Sequence, residues 1–166
     1  MSYEINVLVI NQQNPVYIPC SSDLLIQNEI DDTGVNRYNV IWPFFSNTPG
    51  ILYSLVTKIN EDYYSALKIC DSEFDTTLGN DSFPWISRDT KENLTPFIIR
   101  EKYFEDFKNV LTNLLKSSPQ NRILFQTRYQ GGDTEIVLGV IKLNKFLFML
   151  SKRQISFNVC YIVEAD

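Results

Sequence analysis

Two alternating runs of residues meet at Gly131-Gly132, and this arrangement constrains the fold of the chain more than any other feature. A two-residue hairpin turn of the primed type needs positive φ at its central positions, which glycine adopts freely. Pairing outward from the turn sets Arg128 against Glu135 and Phe125 against Leu138. One face then carries Ile123, Phe125, Thr127, Tyr129, Thr134, Ile136, Leu138 and Val140, and the other Arg122, Gln126, Arg128, Gln130, Asp133 and Glu135. A slip of one residue would destroy that division, so the pattern predicts an antiparallel hairpin over 122–141.

The same alternation returns in 154–163, where Ile155, Phe157, Val159, Tyr161 and Val163 share a face and predict a closing strand. Between hairpin and closing strand, Leu143, Phe146, Leu147 and Leu150 fit a helical stripe, although a further strand is the alternative. The clearest helix lies over 101–116, with Tyr103, Phe104, Phe107, Val110, Leu111, Leu114 and Leu115 in one unbroken stripe. It supplies the apolar surface that one face of the C-terminal sheet needs.

Upstream, Tyr3, Ile5, Val7 and Val9 alternate, and Asn14-Pro15 leads into Val16–Ile18, which together predict an N-terminal hairpin. Asp23 is placed to cap a brief helix through Leu24–Ile30, and 38–42 reads as a strand stopped by Pro43. The segment 49–70 predicts a helix, with Thr48 as N-cap and Pro49 in the first turn. Two strands turning at Asn60-Glu61-Asp62 are the alternative there.

Residues 71–95 have no period and are rich in Asp, Ser, Thr, Asn, Gly and Pro, which predicts a long loop. Loops of that length in compact domains more often serve function than connection. The sequence thus predicts one α+β domain over 1–166: an antiparallel sheet with a C-terminal hairpin and closing strand, covered by helices near 49–70 and 101–116.

The formal charge of −5 is uneven, because residues 1–96 hold thirteen Asp/Glu against five Lys/Arg while 97–166 hold seven against ten. Nucleic acid and anionic membrane require clustered cations, so this balance disfavours both and favours a basic partner. Cys20, Cys70 and Cys160 are odd in number and widely spaced, which argues against a disulfide framework or a short-spaced zinc site. With no basic segment ahead of an apolar run and no apolar stretch near the ~20 residues of a membrane span, a cytoplasmic location is expected.

The chain contains no His, which removes the usual general base near neutral pH. It has no nucleophile elbow or P-loop, and Gly131-Gly132 lies in a hairpin rather than ahead of the helix a phosphate cradle needs. Asp71-Ser72-Glu73-Phe74-Asp75 starts like a calcium loop, but Thr76 stands where its sharp-turn Gly belongs and Ser82 where its bidentate Glu belongs. No cofactor or metal is therefore expected. The acids of that loop instead suit attraction of a cationic protein surface, with Trp85 as an aromatic anchor.

Ser46-Asn47-Thr48-Pro49-Gly50, and Phe83-Pro84-Trp85-Ile86-Ser87 followed by Tyr103-Phe104-Glu105-Asp106-Phe107, resemble small bacterial immunity proteins of polymorphic toxin systems. The resemblance implies a cytoplasmic α+β protein that is not an enzyme and neutralises a co-produced toxin by stoichiometric binding. Asp71, Glu73, Asp75, Asp81 and Trp85 are then the expected contacts with a basic toxin domain. The alternatives are a small His-free enzyme and a self-associating subunit.

Overall fold

The computed structural model describes residues 3–30, 43–71, 94–129 and 136–166. Its strands are β1 (Tyr3–Ile10), β2 (Leu25–Asn28), β3 (Gly50–Asn60), β4 (Tyr63–Ser65), β5 (Arg122–Tyr129), β6 (Ile136–Lys142) and β7 (Val159–Glu164). The helices among the described residues are α1 (Pro43–Asn47), α2 (Glu101–Ser117) and α3 (Leu143–Ser151). Together they form an α+β fold around a mostly antiparallel sheet of order β2-β3-β1-β5-β7-β6, with β4 paired to β3 off that path. No helix among the described residues is long and apolar enough to cross a membrane.

The sheet corrects the C-terminal hairpin. Strands β5 and β6 exist and run antiparallel, but β7 lies between them: Phe125 faces Tyr161 across an antiparallel ladder, and Leu138 faces Tyr161 across a parallel one. Burial explains the choice. Leu124, Phe125 and Gln126 are buried on both faces of β5, as are Val159, Cys160 and Tyr161 on β7. Strands of that kind belong in a sheet's interior, whereas β6 exposes Val137 and Val140 and suits an edge. A register shift between Leu138 and Val140 turns Val140 outward and brings Ile141 into the core, against the simple alternation expected. Arg128 lies 3.9 Å from Glu4 on the neighbouring β1; Gly131-Gly132 and Glu135 lie outside the described residues.

The helix expected over 49–70 is instead β3, a turn and β4. Ile51, Tyr53 and Leu55 pack into the main core while Leu52 joins a second cluster behind the sheet. A strand covered on both faces reads as a continuous apolar run, and its spacing imitates a helical stripe. Gly50 decides the backbone: it has φ 146°, and a Cβ there would sit 2.1 Å from the Val9 carbonyl oxygen. Thr48 is not an N-cap; its hydroxyl donates to the Phe44 carbonyl at 2.6 Å.

The N-terminal hairpin is also corrected, because β1 pairs with β3 and β5 while 16–18 is irregular. That segment is held by Tyr53, whose hydroxyl accepts from the Val16 N–H at 3.0 Å and donates to Gln12 at 2.6 Å. The brief helix expected after Asp23 is the strand β2, paired with β3. The strand expected over 38–42 lies outside the described residues.

Helices α2 and α3 form where the periodicity places them, and with the strands' inner faces they enclose the main core. The last turn of α3 closes with Arg153 N–H on the Leu150 carbonyl and Gln154 N–H on the Met149 carbonyl, with Arg153 at φ 58°. The closing strand is shorter than expected, since 154–158 turns through Asn158 (φ 63°) before β7 begins. Behind the sheet, Ser54 donates to Asn6 at 2.7 Å and Asn6 donates to Gln126 at 3.3 Å, a polar row across β3, β1 and β5.

Asp106 ties the N-terminal segment to α2. Its buried carboxylate accepts from the backbone N–H groups of Ser21 (3.0 Å) and Ser22 (2.8 Å) and from both serine hydroxyls. Burial pushes the Asp106 carboxyl up, but the hydrogen bonds from Ser22 and Ser21 together overcome it and hold the group below its ordinary value. A lowered folded pKa gives stability that is present above the ordinary carboxylate value of about 3.9 and is lost as pH falls through the folded value. Asp106→Asn should thus be about 1–2 kcal/mol less stable at neutral pH, with the gap closing below about pH 4, as urea unfolding across pH would show. By the same measurement Gly50→Ala should lose about 3 kcal/mol, from its φ and its clash with Val9.

Candidate partner-binding surface

Strand β3 is longer than its neighbours. Gly50–Ser54 pair with β1 and Tyr53–Val56 pair with β2, so beyond Val56 the only partner among the described residues is β4, through Thr57↔Ser65, Lys58↔Tyr64 and Asn60↔Tyr63. A two-stranded arm therefore projects from the sheet. Its turn is closed by the Asn60 side chain, which accepts the Asp62 N–H at 3.1 Å. Its base is anchored by Thr57, Ser65 and Ala66, all buried.

Successive strand residues point to opposite faces. In β4 both directions meet solvent, because Tyr63 is 48% exposed and Tyr64 38% exposed. Glu61 and Asp62 at the turn are exposed as well, and Leu67, just past the arm, is 47% exposed. Two tyrosines with an adjacent pair of acids on a hydrogen-bonded hairpin form a surface of the kind protein interfaces use, since Tyr supplies large contact area with little side-chain entropy to lose.

The chain leaves the arm through a turn in which the Ile69 and Cys70 N–H groups reach the Ala66 carbonyl. It is then laced to the strap 98–100, with Asp71 N–H on the Ile98 carbonyl (2.8 Å) and Arg100 N–H on the Ile69 carbonyl (2.9 Å). This places Asp71 beside the start of α2, 3.7 Å from the Arg100 guanidinium, in a pair more than half exposed on both sides. A cleft of about 430 Å³ opens there, lined by Tyr3, Lys68, Cys70, Asp71, Arg100 and Tyr103 among others. At its rim Lys102 lies 3.2 Å from Asp23. The hydrogen bond from the Tyr103 hydroxyl holds the Asp23 carboxyl below its ordinary value, and Lys102 adds to the effect.

Of the five residues expected to contact a partner, Asp71 is thus placed at the foot of the arm, while Glu73, Asp75, Asp81 and Trp85 lie outside the described residues. Tyr63 and Tyr64 were absent from that expectation because the helical reading of 49–70 put Tyr63 on a buried stripe. The signal that identifies them is the polar turn Asn60-Glu61-Asp62 with residues of high strand propensity on both sides.

The thiols are not poised for chemistry. Burial pushes Cys70 up to about 12 and Cys20, with Asp106 adding to the effect, up to about 11; Cys160 is fully buried behind the sheet. Alkylation with iodoacetamide at pH 8 should accordingly be slow at all three cysteines in the folded protein and fast in urea, with mass spectrometry as the readout.

A scan against protein-family models, a search of curated proteins and a search of solved structures each returned no match to this chain.

Proposed function

We propose that this protein acts by stoichiometric binding of a protein partner, and that its specific role is neutralisation of a cognate bacterial toxin in the cytoplasm. The observation that carries the reading is the projecting β3–β4 arm, which offers Tyr63 and Tyr64 to solvent on opposite faces beside Glu61 and Asp62. Beyond its buried base the arm pairs with neither β1 nor β2: Lys58–Asn60 extend past the residues of β3 that pair with them. The formal charge of −5 adds long-range attraction for a basic partner, and Asp71 extends the acidic surface from the arm. The division of roles follows from the physics: acids accelerate encounter, and desolvated tyrosines slow release.

The test begins with tagged protein retrieved from its native organism and identification of a co-purifying protein by mass spectrometry, followed by kinetics with the purified pair. Replacing Glu61, Asp62 and Asp71 by their amides should lower the association rate and flatten its salt dependence. Tyr63→Ala and Tyr64→Ala should raise the dissociation rate by about tenfold or more. Exposed positions of this kind change stability by only about 0.5 kcal/mol, so melting temperatures should stay close to wild type. Retrieval of nothing but the chain itself, with light scattering showing a dimer or larger, would replace this reading with self-association. Rates indifferent to all five substitutions would place the interface elsewhere on the protein.

A further inference from the structure

We propose that the cleft between the foot of the arm and the start of α2 binds a small anionic molecule, holding its phosphate or carboxylate group with Lys68 and Arg100. The proposal does not rest on the partner-binding reading. The cleft's described lining holds three cations, Lys68, Arg100 and Lys102, against one carboxylate, Asp71, in a chain whose formal charge is −5. Lys102 is shared with Asp23 at 3.2 Å, so Lys68 and Arg100 supply most of the uncompensated charge. Arg100 meets Asp71 only at 3.7 Å with both side chains more than half exposed, a contact too loose to neutralise it. Lys68 forms no ion pair with any described residue.

Arg100 also occupies the N-cap of the 17-residue helix α2 without a side-chain cap, with Glu101 and Lys102 following it in the first turn. The helix dipole favours an anion at that end, so an oxyanion held by Arg100 would sit where the dipole supports it. The rest of the ligand is described by the walls. Tyr3, Leu67 and Tyr103 line the same cleft, whose volume of about 430 Å³ falls in the range of small-molecule pockets, roughly 300–1,000 Å³. The site therefore suits an anionic head on an apolar or planar body.

Titration calorimetry of the full chain with phenyl phosphate, benzoate and phenol tests this, because the ring is constant and only the head group changes. Binding of phenyl phosphate or benzoate, but not phenol, is expected, and the stronger of the two identifies the head group. Arg100→Gln and Lys68→Gln should each weaken that binding by about tenfold, the scale of one charge-assisted hydrogen bond. Asp71→Asn, which removes the competing carboxylate, should strengthen it. These side chains are exposed, so unchanged melting temperatures will verify that the variants fold. Failure of both anions to bind, equal binding of phenol, indifference to the Lys68 and Arg100 changes, or weakening by Asp71→Asn would each overturn the proposal. The two functional readings part at Asp71, whose neutralisation slows encounter with a basic protein but tightens hold on an anion.

Discussion

The packing of the protein depends on Phe125, whose ring is met by four others from four separate segments. Phe97 of the strap before α2 lies 5.9 Å away, Phe107 of α2 5.7 Å, Phe146 of α3 5.0 Å and Tyr161 of β7 6.4 Å, centroid to centroid. The Phe107 and Phe146 contacts are edge-on, the arrangement in which the positive rim of one ring meets the negative face of another. Phe125 reaches all four only because β5 is interior to the sheet, with β1 on one side and β7 on the other. The insertion of β7 between β5 and β6 is therefore what brings both long helices and the strap onto one core.

Once that core is closed, the functional candidates are what projects from it. Strap residue Phe97 is locked by its N–H on the Ile155 carbonyl and by Phe157 N–H on the Thr95 carbonyl. That fixes the run through Ile98 and Arg100, to which the segment after the arm is laced. The arm and the cleft thus stand side by side on one hydrogen-bonded support, the first acidic and aromatic at its tip, the second rich in cations. Surfaces of opposite sign this close together favour a partner that approaches in one orientation.

The sequence disclosed the elements whose burial is one-sided. Helix α2 has a single apolar stripe, and its range is read directly from the periodicity; α3 also buries one face, whereas β1 shows the alternation of Tyr3, Ile5, Val7 and Val9 although it is buried on both faces. It misled where burial is two-sided or long-range. Ile51–Tyr53 and Leu55–Val56 are apolar on both sides of Ser54 because both faces of β3 are covered, and period alone cannot distinguish such a strand from a helix. The glycine pair and clean alternation made a local hairpin the economical reading of 122–141, but pairing is decided by the competition among strands, and β7, with Val159, Cys160, Tyr161 and Val163 fully buried, outcompetes the half-exposed β6. Of the candidate site, Asp71 was legible as an acid in a polar stretch, whereas the cationic cleft was not, since Lys68 and Arg100 are brought together by a tertiary ladder between Ile69 and Arg100.

The insertion of β7 is tested most directly by backbone proton contacts in solution. In an antiparallel β5–β7 pair and a parallel β6–β7 pair, nuclear Overhauser effects should connect Gln126 with Cys160 and Val137 with Cys160, following the registers that place both residues opposite Cys160. No cross-strand effect should join Phe125 to Leu138. A Phe125–Leu138 contact, with β7 amides exchanging as freely as those of an edge strand, would show that β5 and β6 pair directly and would contradict the account.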